Sequence, residues 1–262
     1  MPDPLREIFD EDAERYDRAR PGYPDALFDD LFDLASIGPG SRVLEIGCGT
    51  GQATVVLAAR GCSVVAVELG ASLAAVAARN LAPYPNAQIV VSAFEDWPLP
   101  AEPFDAVVAF TAFHWVDAEV GLAQVAATLR PGGAFVIVMT EHVAGGTDPF
   151  FVDVQDCYER WDPDTPAGIR LERADDVAAR IDVEADPKGR FGAAVLRCYE
   201  TDRTYTTAVY LDVLQTYSGH RAMDDDARDR LLTCIGSLID SRYGGLIVKR
   251  YLNTMRVSRR VS

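Results

Sequence analysis

A run of glycines at alternate positions, directly after an apolar segment, constrains the fold of this chain more than any other feature. Val43, Leu44 and Ile46 form the apolar segment, which is typical of a buried parallel strand. The turn at 47–51 reads Gly-Cys-Gly-Thr-Gly, and residues 53–60 then have the pattern of a helix. Because glycine has no Cβ, a ligand can approach the backbone N–H groups of such a turn. The sequence therefore predicts a strand–turn–helix unit that binds a nucleotide-like ligand.

Two glutamates accompany this unit. Glu45 interrupts the apolar strand, and a buried carboxylate is costly unless it meets a partner. Glu68 ends the next predicted strand and follows Gly51 by 17 positions. At this spacing a βαβ unit presents a carboxylate to the two hydroxyls of a ribose. We therefore predict that Glu68 binds a ribose; the alternative is an exposed acid at a strand end.

The residues at the end of the turn show which classes of nucleotide ligand the site can bind. A dinucleotide site needs glycine or alanine at the last position of G-x-G-x-x-G, where this chain has Gln52. A phosphate-binding loop needs G-K-[ST] before the helix, and that is also missing. A ligand without phosphates is therefore favoured. S-adenosylmethionine (SAM) meets this requirement, since it combines an adenine, a ribose with two hydroxyls and an amino-acid tail.

The chain alternates strand segments with helical segments as far as residue 140. Beyond the glycine turn, strands are predicted at 63–67, 88–91, 104–109, 134–139, 192–199 and 246–252. This alternation predicts an α/β fold: a doubly wound, mostly parallel, seven-stranded sheet of the Rossmann-like type. The arginines at 256, 259 and 260 are expected to form a solvated end.

The regularity of the pattern divides the chain into four parts. Residues 1–40 are predicted to supply N-terminal lid helices, and residues 41–140 the core that binds the cofactor. Residues 141–190 mix acids, prolines and aromatic side chains and are interpreted as an inserted cap. Residues 191–262 would complete the sheet and add helices.

The composition of the chain limits which partners it can bind and in which compartment it is expected. The 262 residues carry 40 acidic and 25 basic side chains, a formal net charge of -15. This charge disfavours non-specific binding to nucleic acid or to an anionic membrane. No apolar run approaches the roughly 20 residues that span a bilayer, and the first residues lack the apolar segment of a signal peptide. We therefore expect a cytoplasmic protein without nucleic-acid or membrane partners.

Cysteines and histidines form no pattern of a metal site. The five cysteines are scattered without a C-x-x-C pair, and the three histidines include no H-E-x-x-H. The cysteine pattern also argues against a disulfide framework. We expect no metal, and we expect the cysteines to be small buried hydrophobic residues.

Several motifs together point to a known family. The segment E-I-G-C-G-T-G-Q with Glu68, the strand F-D-A-V-V-A, the A-F-H-W after it and the turn L-R-P-G-G resemble those of class I SAM-dependent methyltransferases. The segments R-Y-D-R-A-R-P-G-Y-P and T-Y-S-G-H-R resemble the small-molecule branch that includes trans-aconitate-type methyltransferases. The chain is thus identified as a member of the class I family on its residues 41–139.

The resemblance implies contacts to SAM and to its product, S-adenosylhomocysteine. Glu45 and the turn would hold the methionine end, Glu68 the ribose, and Leu69 the adenine. In many relatives an aspartate bonds the adenine amine, and this chain has Ala93 there, so Phe94 or Glu95 would substitute. The residues implied in cofactor binding are Glu45, Gly47, Cys48, Gly49, Gly51, Gln52, Glu68, Leu69, Ala93, Phe94, Glu95, Phe110 and Thr111.

His114 is the candidate general base, because it follows the fourth strand at the edge where α/β sheets bind ligands. The alternative is that His114 and Trp115 only line the pocket. Aromatic and guanidinium groups near the predicted lid suit a carboxylate ligand. The candidate acceptor-binding residues are Tyr16, Arg20, Tyr23, His114, Trp115, Tyr217, His220 and Arg221.

These features predict an enzyme that moves a methyl group from SAM to a small molecule, preferably to a hydroxyl or carboxylate oxygen of a small acid or specialised metabolite. Methylation of nitrogen or carbon and a non-catalytic, regulatory SAM-binding protein remain alternatives. A nucleic-acid methyltransferase is disfavoured by the charge and by the lack of N-P-P-Y or D-P-P-Y after the fourth strand. The expected assembly is a monomer or a homodimer.

Overall fold

Seven strands form one sheet in the computed structural model, which describes residues 8–162, 165–166, 168–183, 186 and 188–261. In chain order the strands are β1 Arg42–Ile46, β2 Ser63–Glu68, β3 Ala87–Val91, β4 Phe104–Phe110, β5 Leu129–Gly146, β6 Val195–Thr206 and β7 Leu246–Arg259. Their order across the sheet is β3-β2-β1-β4-β5-β7-β6. The first five strands pair in parallel, and β7 runs antiparallel to both β5 and β6. The predicted seven-stranded, mostly parallel α/β sheet is confirmed.

Helices cover both faces of this sheet. The helices are α1 Ala13–Ala19, α2 Asp25–Ala35, α3 Gln52–Ala59, α4 Ala71–Asn80, α5 Ala118–Thr128, α6 Asp148–Asp153, α7 Gln155–Trp161, α8 Ala174–Ala179, α9 Thr207–Leu214, α10 Ser218–Arg221 and α11 Asp225–Arg242. Short 3₁₀ turns lie at Ile8–Asp12, Phe94–Asp96 and Phe113–Trp115. Helices α2 and α3 pack on one face and α5 on the other, so the sheet is doubly wound.

The core consists of apolar side chains that alternate between the two faces of the strands. On β1, Val43 packs with the cluster of α2 and α3, whereas Leu44 and Ile46 pack with that of α5. A third cluster joins α6, α7, α9 and α11 to Ile247 and Tyr251 of β7. The parallel strands β1, β2 and β4 therefore end at one edge, with helices packed above and below it.

The two longest strands extend well beyond their predicted ends. Strand β5 was predicted to end at 139 and β7 at 252, but they pair antiparallel over the span from Ala134 opposite Arg259 to Gly146 opposite Lys249. The prediction of a solvated C-terminal end is wrong for Arg256 and Arg259, which belong to β7. The Arg259 guanidinium donates hydrogen bonds to backbone carbonyls of α2, among them Ala35 at 3.0 Å. Antiparallel pairing with a distant strand satisfies backbone groups that local sequence cannot show to be paired.

The prediction that the cysteines are isolated buried residues is wrong for one pair. Cys157 of α7 and Cys234 of α11 form a disulfide across a sequence separation of 77 residues. The two helices pack side by side, which brings the thiols together. Cys48 and Cys62 are buried as expected, but Cys198 is exposed. Spacing along the chain could not reveal the pair, because tertiary packing alone makes it.

Two features are absent from the part of the chain that the structure describes. None of its helices combines the length and apolar character needed to cross a bilayer. No three His, Cys, Asp or Glu side chains in these ranges lie close enough together to hold a metal ion.

Candidate active site

A cavity of about 340 Å³ opens at the carboxyl edge of β1, β2 and β4. This is the edge where ligands bind in open α/β sheets. Its lining residues come from the strand ends, from the loops that follow them, and from α1, β5 and α10. They are Asp10, Tyr16, Arg20, Ile46, Gly47, Gly49, Val67, Glu68, Leu69, Gly70, Leu73, Ser92, Phe94, Phe110, Thr111, Ala112, His114, Trp115, Val116, His142, Tyr217 and Ser218.

The glycine turn forms the floor at one end of this cavity. Gly47, Gly49 and Gly51 have φ values of 66°, 56° and 85°, a region that side chains with a Cβ rarely adopt. A Cβ on Gly47 would lie 2.6 Å from the Cβ of Ala112, which is too close for real atoms. Both the backbone conformation and the close approach of the loop after β4 therefore require glycine here.

The Glu68 carboxylate is held rigidly beside the turn. One of its oxygens accepts a hydrogen bond from the Gly49 N–H at 2.8 Å, and the other accepts from the Gly70 N–H at 2.9 Å. Burial raises the pKa of Glu68, and these backbone donors oppose the shift. The result is a pre-oriented acceptor of hydrogen bonds at the end of β2, which suits vicinal hydroxyls.

Glu45 lies beneath the floor, on the face of β1 that packs against α3. It is 1% exposed and accepts a hydrogen bond of 2.7 Å from the Thr54 hydroxyl. Burial raises the pKa of this carboxyl to about 8. Glu45 is not among the residues that line the cavity, so its expected contact with an ammonium group stays a prediction.

The loop after β4 carries local backbone strain at Thr111. This residue has a φ of 51°, an outlier for a β-branched side chain that costs about 1–3 kcal/mol. Its N–H donates to the Val138 carbonyl at 2.7 Å, and its hydroxyl shares a 3.2 Å hydrogen bond with Tyr23. These contacts keep the Thr111 side chain in the cavity wall.

Helix α1 and the residue that follows it, Arg20, close one side of the cavity. Tyr16 and Arg20 line it, and the Arg20 guanidinium carbon lies 5.0 Å from the Tyr16 ring centroid and 4.7 Å from that of Tyr217. Polar contacts attach α1 to α4: Glu14 accepts two hydrogen bonds from Arg79, at 2.7 and 3.0 Å. The wall thus joins parts of the chain about 200 residues apart in sequence.

His114 and Trp115 stand on the 3₁₀ turn after β4. Their ring centroids lie 4.7 Å apart, and both residues line the cavity. The His114 ring is exposed to the cavity, yet the surrounding protein removes part of its water and lowers its pKa below the usual 6.5. At neutral pH the imidazole is therefore uncharged and able to accept a proton.

Comparison with known proteins agrees with this geometry. Residues 43–133 match the model of a family described as a methyltransferase domain. An uncharacterised methyltransferase of Mycobacterium tuberculosis (strain H37Rv) is 37% identical over 123 residues, which are 47% of this chain and 48% of that protein. Residues 43–133 are therefore a methyltransferase domain of the class I SAM-dependent type. The chain spans about half the length of this curated relative.

Solved structures show the same fold. A type II methyltransferase of Anaeromyxobacter dehalogenans, described as putative in its report, has a TM-score of 0.64 at 24% identity, covering 92% of this chain and 98% of that one. A Haemonchus contortus phosphoethanolamine N-methyltransferase, solved with phosphomonomethylethanolamine and S-adenosylhomocysteine, has a TM-score of 0.55 at 16% identity, covering 99% and 61%. SAM is the cofactor of this methyltransferase domain. A glycine floor without Cβ atoms and the oriented carboxylate of Glu68 fit that group.

The methyltransferase domain brings about half of the predicted cofactor residues into the cavity wall. Gly47, Gly49, Glu68, Leu69, Phe94, Phe110 and Thr111 line it, whereas Glu45, Cys48, Gly51, Gln52, Ala93 and Glu95 do not. Gln52 instead donates a 3.2 Å hydrogen bond to the Arg20 carbonyl, and Glu95 accepts one of 3.3 Å from the Asp117 N–H. Ser92 and Phe94 line the cavity on either side of Ala93.

The predicted acceptor residues fall into two groups. Tyr16, Arg20, His114, Trp115 and Tyr217 line the cavity, whereas Tyr23, His220 and Arg221 do not. His220 shares a 3.0 Å hydrogen bond with the Tyr158 hydroxyl, and Arg221 donates to a Glu11 carboxylate at 2.7 Å. Tyr23 contacts two residues of the cavity wall: it shares a hydrogen bond with Thr111, and its ring centroid lies 4.9 Å from that of Phe110.

Sequence reasoning missed residues that the fold brings to the same place. Asp10 lines the cavity and accepts a hydrogen bond from the Leu73 N–H at 2.9 Å. His142 lines it from the extended part of β5, and Lys249 of β7 lies behind Tyr217. A longer β5 would have placed His142 at the carboxyl edge, but the predicted strand ended at residue 139. No local signal marked Lys249.

Proposed function

We propose that this chain transfers the methyl group of SAM to an oxygen atom, hydroxyl or carboxylate, of a small-molecule acceptor. The observation that carries the proposal is one continuous cavity, which joins the glycine turn and Glu68 to His114, Arg20 and Tyr217. One end has the features that a cofactor with a ribose requires, and the other offers an aromatic and basic wall to a second molecule.

At the cofactor end, the residues bind and orient. Glu68 would accept hydrogen bonds from the two ribose hydroxyls, and the backbone of Gly47 and Gly49 would hold the amino-acid tail. Leu69 and Phe94 would bind the adenine. The cofactor supplies a methyl group already activated on a sulfonium, so the protein needs no further electrophilic group.

At the acceptor end, the residues align a nucleophile and exclude water. Reaction requires the acceptor oxygen to lie about 3–3.5 Å from the methyl carbon, and a rigid wall provides this alignment. Thr111, His114 and Trp115 border the place where the two molecules meet. For a hydroxyl acceptor, the neutral His114 imidazole takes the proton. A carboxylate acceptor is already ionised and needs no base.

The proposal extends to the organisation of the chain. Residues 1–40 act as a lid over the cofactor-binding core 41–140, and 141–190 act as a cap; the contacts of α1 with α4 and α9 support the first assignment. A formal charge of -15 supports a protein that does not bind nucleic acid. The proposed compartment is the cytoplasm, and the proposed assembly is a monomer or a homodimer.

Thermal unfolding with candidate cofactors tests the first half of the proposal. SAM and S-adenosylhomocysteine should raise the melting temperature, because ligands that bind only the folded state stabilise it, and NAD should not. The opposite ranking would contradict the proposal.

A screen of small acids and hydroxylated metabolites, following label from methyl-labelled SAM, tests the second half. We expect label in an ester or ether product. Label on nitrogen or carbon would correct the acceptor atom. If SAM binds but is not consumed in the presence of any acceptor, a regulatory protein is favoured.

A further inference from the structure

Arg20 in the cavity wall has no carboxylate partner among the residues that the structure describes. One of its terminal nitrogens donates to the Thr216 carbonyl at 2.8 Å, while its buried Nε has no hydrogen-bond partner. Other arginines of this acidic chain form ion pairs at the surface, such as Arg79 with Glu14. Arg20 also lines the cavity, so a ligand bound there can supply the counter-ion that its guanidinium lacks.

Lys249 is a second cation without a counter-ion among the described residues. It is 4% exposed, and its Nζ lies 5.5–5.7 Å from the ring centroids of Phe151, Tyr210, Tyr217 and Tyr251. Aromatic rings stabilise an ammonium only in part. Burial, and to a smaller extent the nearby Arg20, lowers the pKa of Lys249 to about 7.

The two cations both lie beside the ring of Tyr217, which lines the cavity. Arg20 lies 4.7 Å and Lys249 5.7 Å from its centroid. The His142 ring centroid lies 5.1 Å from the same centroid, and His142 also lines the cavity. Of the described residues that line the cavity, only Asp10 and Glu68 are acidic, and their hydrogen bonds go to α4 and its N-terminal loop and to the glycine turn.

We propose that the acceptor is an anion whose carboxylate or phosphate group binds to Arg20 and is further stabilised by Lys249 behind the Tyr217 ring. The inference rests on the proposed function, because it names the chemical class of the second molecule in the same cavity. A guanidinium binds either group through parallel N–H donors. The charge of Lys249 acts across one ring, in surroundings where water screens it weakly.

Binding to protein saturated with S-adenosylhomocysteine, measured by calorimetry, tests this inference. The probes are phenylacetate and phenyl phosphate, with neutral phenylacetamide as their counterpart; benzoate/benzamide and 3-phenylpropionate/3-phenylpropionamide pairs cover other lengths. At least one anion should bind about tenfold or more tightly than its neutral counterpart, as expected for a charge-assisted contact. Preference for phenylacetate or for phenyl phosphate identifies the anionic group.

Lys249→Met should reduce this anion preference by about tenfold, since it removes a charge one ring away. The matched control is Lys188→Met, which alters the other lysine of the chain, an exposed partner of Glu119, and should leave the preference unchanged. Arg20→Gln should abolish the preference. Each variant's affinity for S-adenosylhomocysteine and its melting temperature show that it is folded.

Two results would overturn the inference. One is a wild-type protein that binds every anion no better than its neutral counterpart; this comparison needs no variant. The other is a folded Lys249→Met protein with an undiminished preference. Failure of S-adenosylhomocysteine to bind the wild-type protein would instead contradict the proposed function, so the two failures are distinguishable.

Discussion

At the scale of single residues, the candidate site depends on carboxylates and imidazoles whose surroundings set their protonation. Glu68 is buried but accepts two backbone hydrogen bonds, whereas Glu45, equally buried, has one hydroxyl donor and a pKa raised to about 8. The same residue type is thus an oriented hydrogen-bond acceptor in one place and a largely protonated group in the other.

We predict that Glu68→Ala weakens binding of S-adenosylhomocysteine by about 1–3 kcal/mol, the usual cost of losing hydrogen bonds to a charged acceptor. Titration calorimetry provides the measurement. Glu102→Ala is the control, because Glu102 is an exposed partner of Arg42 far from the cavity. Equal affinities of the two variants would refute the ribose assignment.

His114→Ala should lower turnover of a hydroxyl acceptor by about 10²-fold or more, the usual contribution of a general base. Affinity for the cofactor should change little. Because the pKa of His114 is lowered, the imidazole is the active neutral form at pH 7, and wild-type activity should fall only below about pH 6.5. A variant that retains both turnover and this acidic limb would show that His114 only lines the pocket.

At the scale of elements, the glycine turn is constrained in two separable ways. Its three glycines have positive φ, and Gly47 also lies against the loop after β4. Gly40 has a φ of 86° but open space around its missing Cβ, so it experiences the first constraint without the second.

Gly40→Ala should therefore cost about 1–2 kcal/mol of folding free energy, the price of a left-handed conformation. Gly47→Ala should cost more, because a Cβ 2.6 Å from that of Ala112 forces the loop after β4 to move. It should also weaken cofactor binding, which Gly40→Ala should not. Denaturant unfolding and calorimetry give both quantities, and similar values for the two variants would contradict this account.

At the scale of the whole molecule, a disulfide joins two helices that cover β6 and β7. It connects α7, within the predicted cap, to α11, and both helices contribute to the cluster that surrounds Tyr251. A cross-link between distant segments stabilises chiefly by restricting the unfolded chain. Such bonds are rare in the reducing cytoplasm, so the state of this pair also bears on the proposed compartment.

The double variant Cys157→Ala, Cys234→Ala should melt about 5–15 °C lower than the oxidised wild-type protein, from a loss of about 2–5 kcal/mol. Reductant should lower the wild-type melting temperature similarly and leave the variant unchanged. Cys198→Ala is the control, since Cys198 is a free thiol. Thiol labelling of protein taken directly from cells reports which state occurs there.

Local order along the chain was enough to predict one part of this protein. The glycine turn, the spacing to Glu68 and the strand–helix alternation specified the parallel core and its cofactor, because a βαβ unit places these features within about thirty residues. Tyr16, Arg20 and His114 were also predicted in the site, since each lies beside a recognisable motif.

The strands and side chains that pack against this core from distant parts of the chain could be identified only in the folded structure. Strand β7 pairs with β5 from more than 100 residues away, and this pairing brings His142 into the cavity wall and Lys249 beside Tyr217. The disulfide has the same origin, since the packing of α7 on α11 creates it. Periodicity along a sequence reports which face a residue occupies, but it does not report which distant residue faces it. The cofactor could therefore be predicted from the order of residues along the chain, whereas the proposed acceptor site depends on contacts between distant segments.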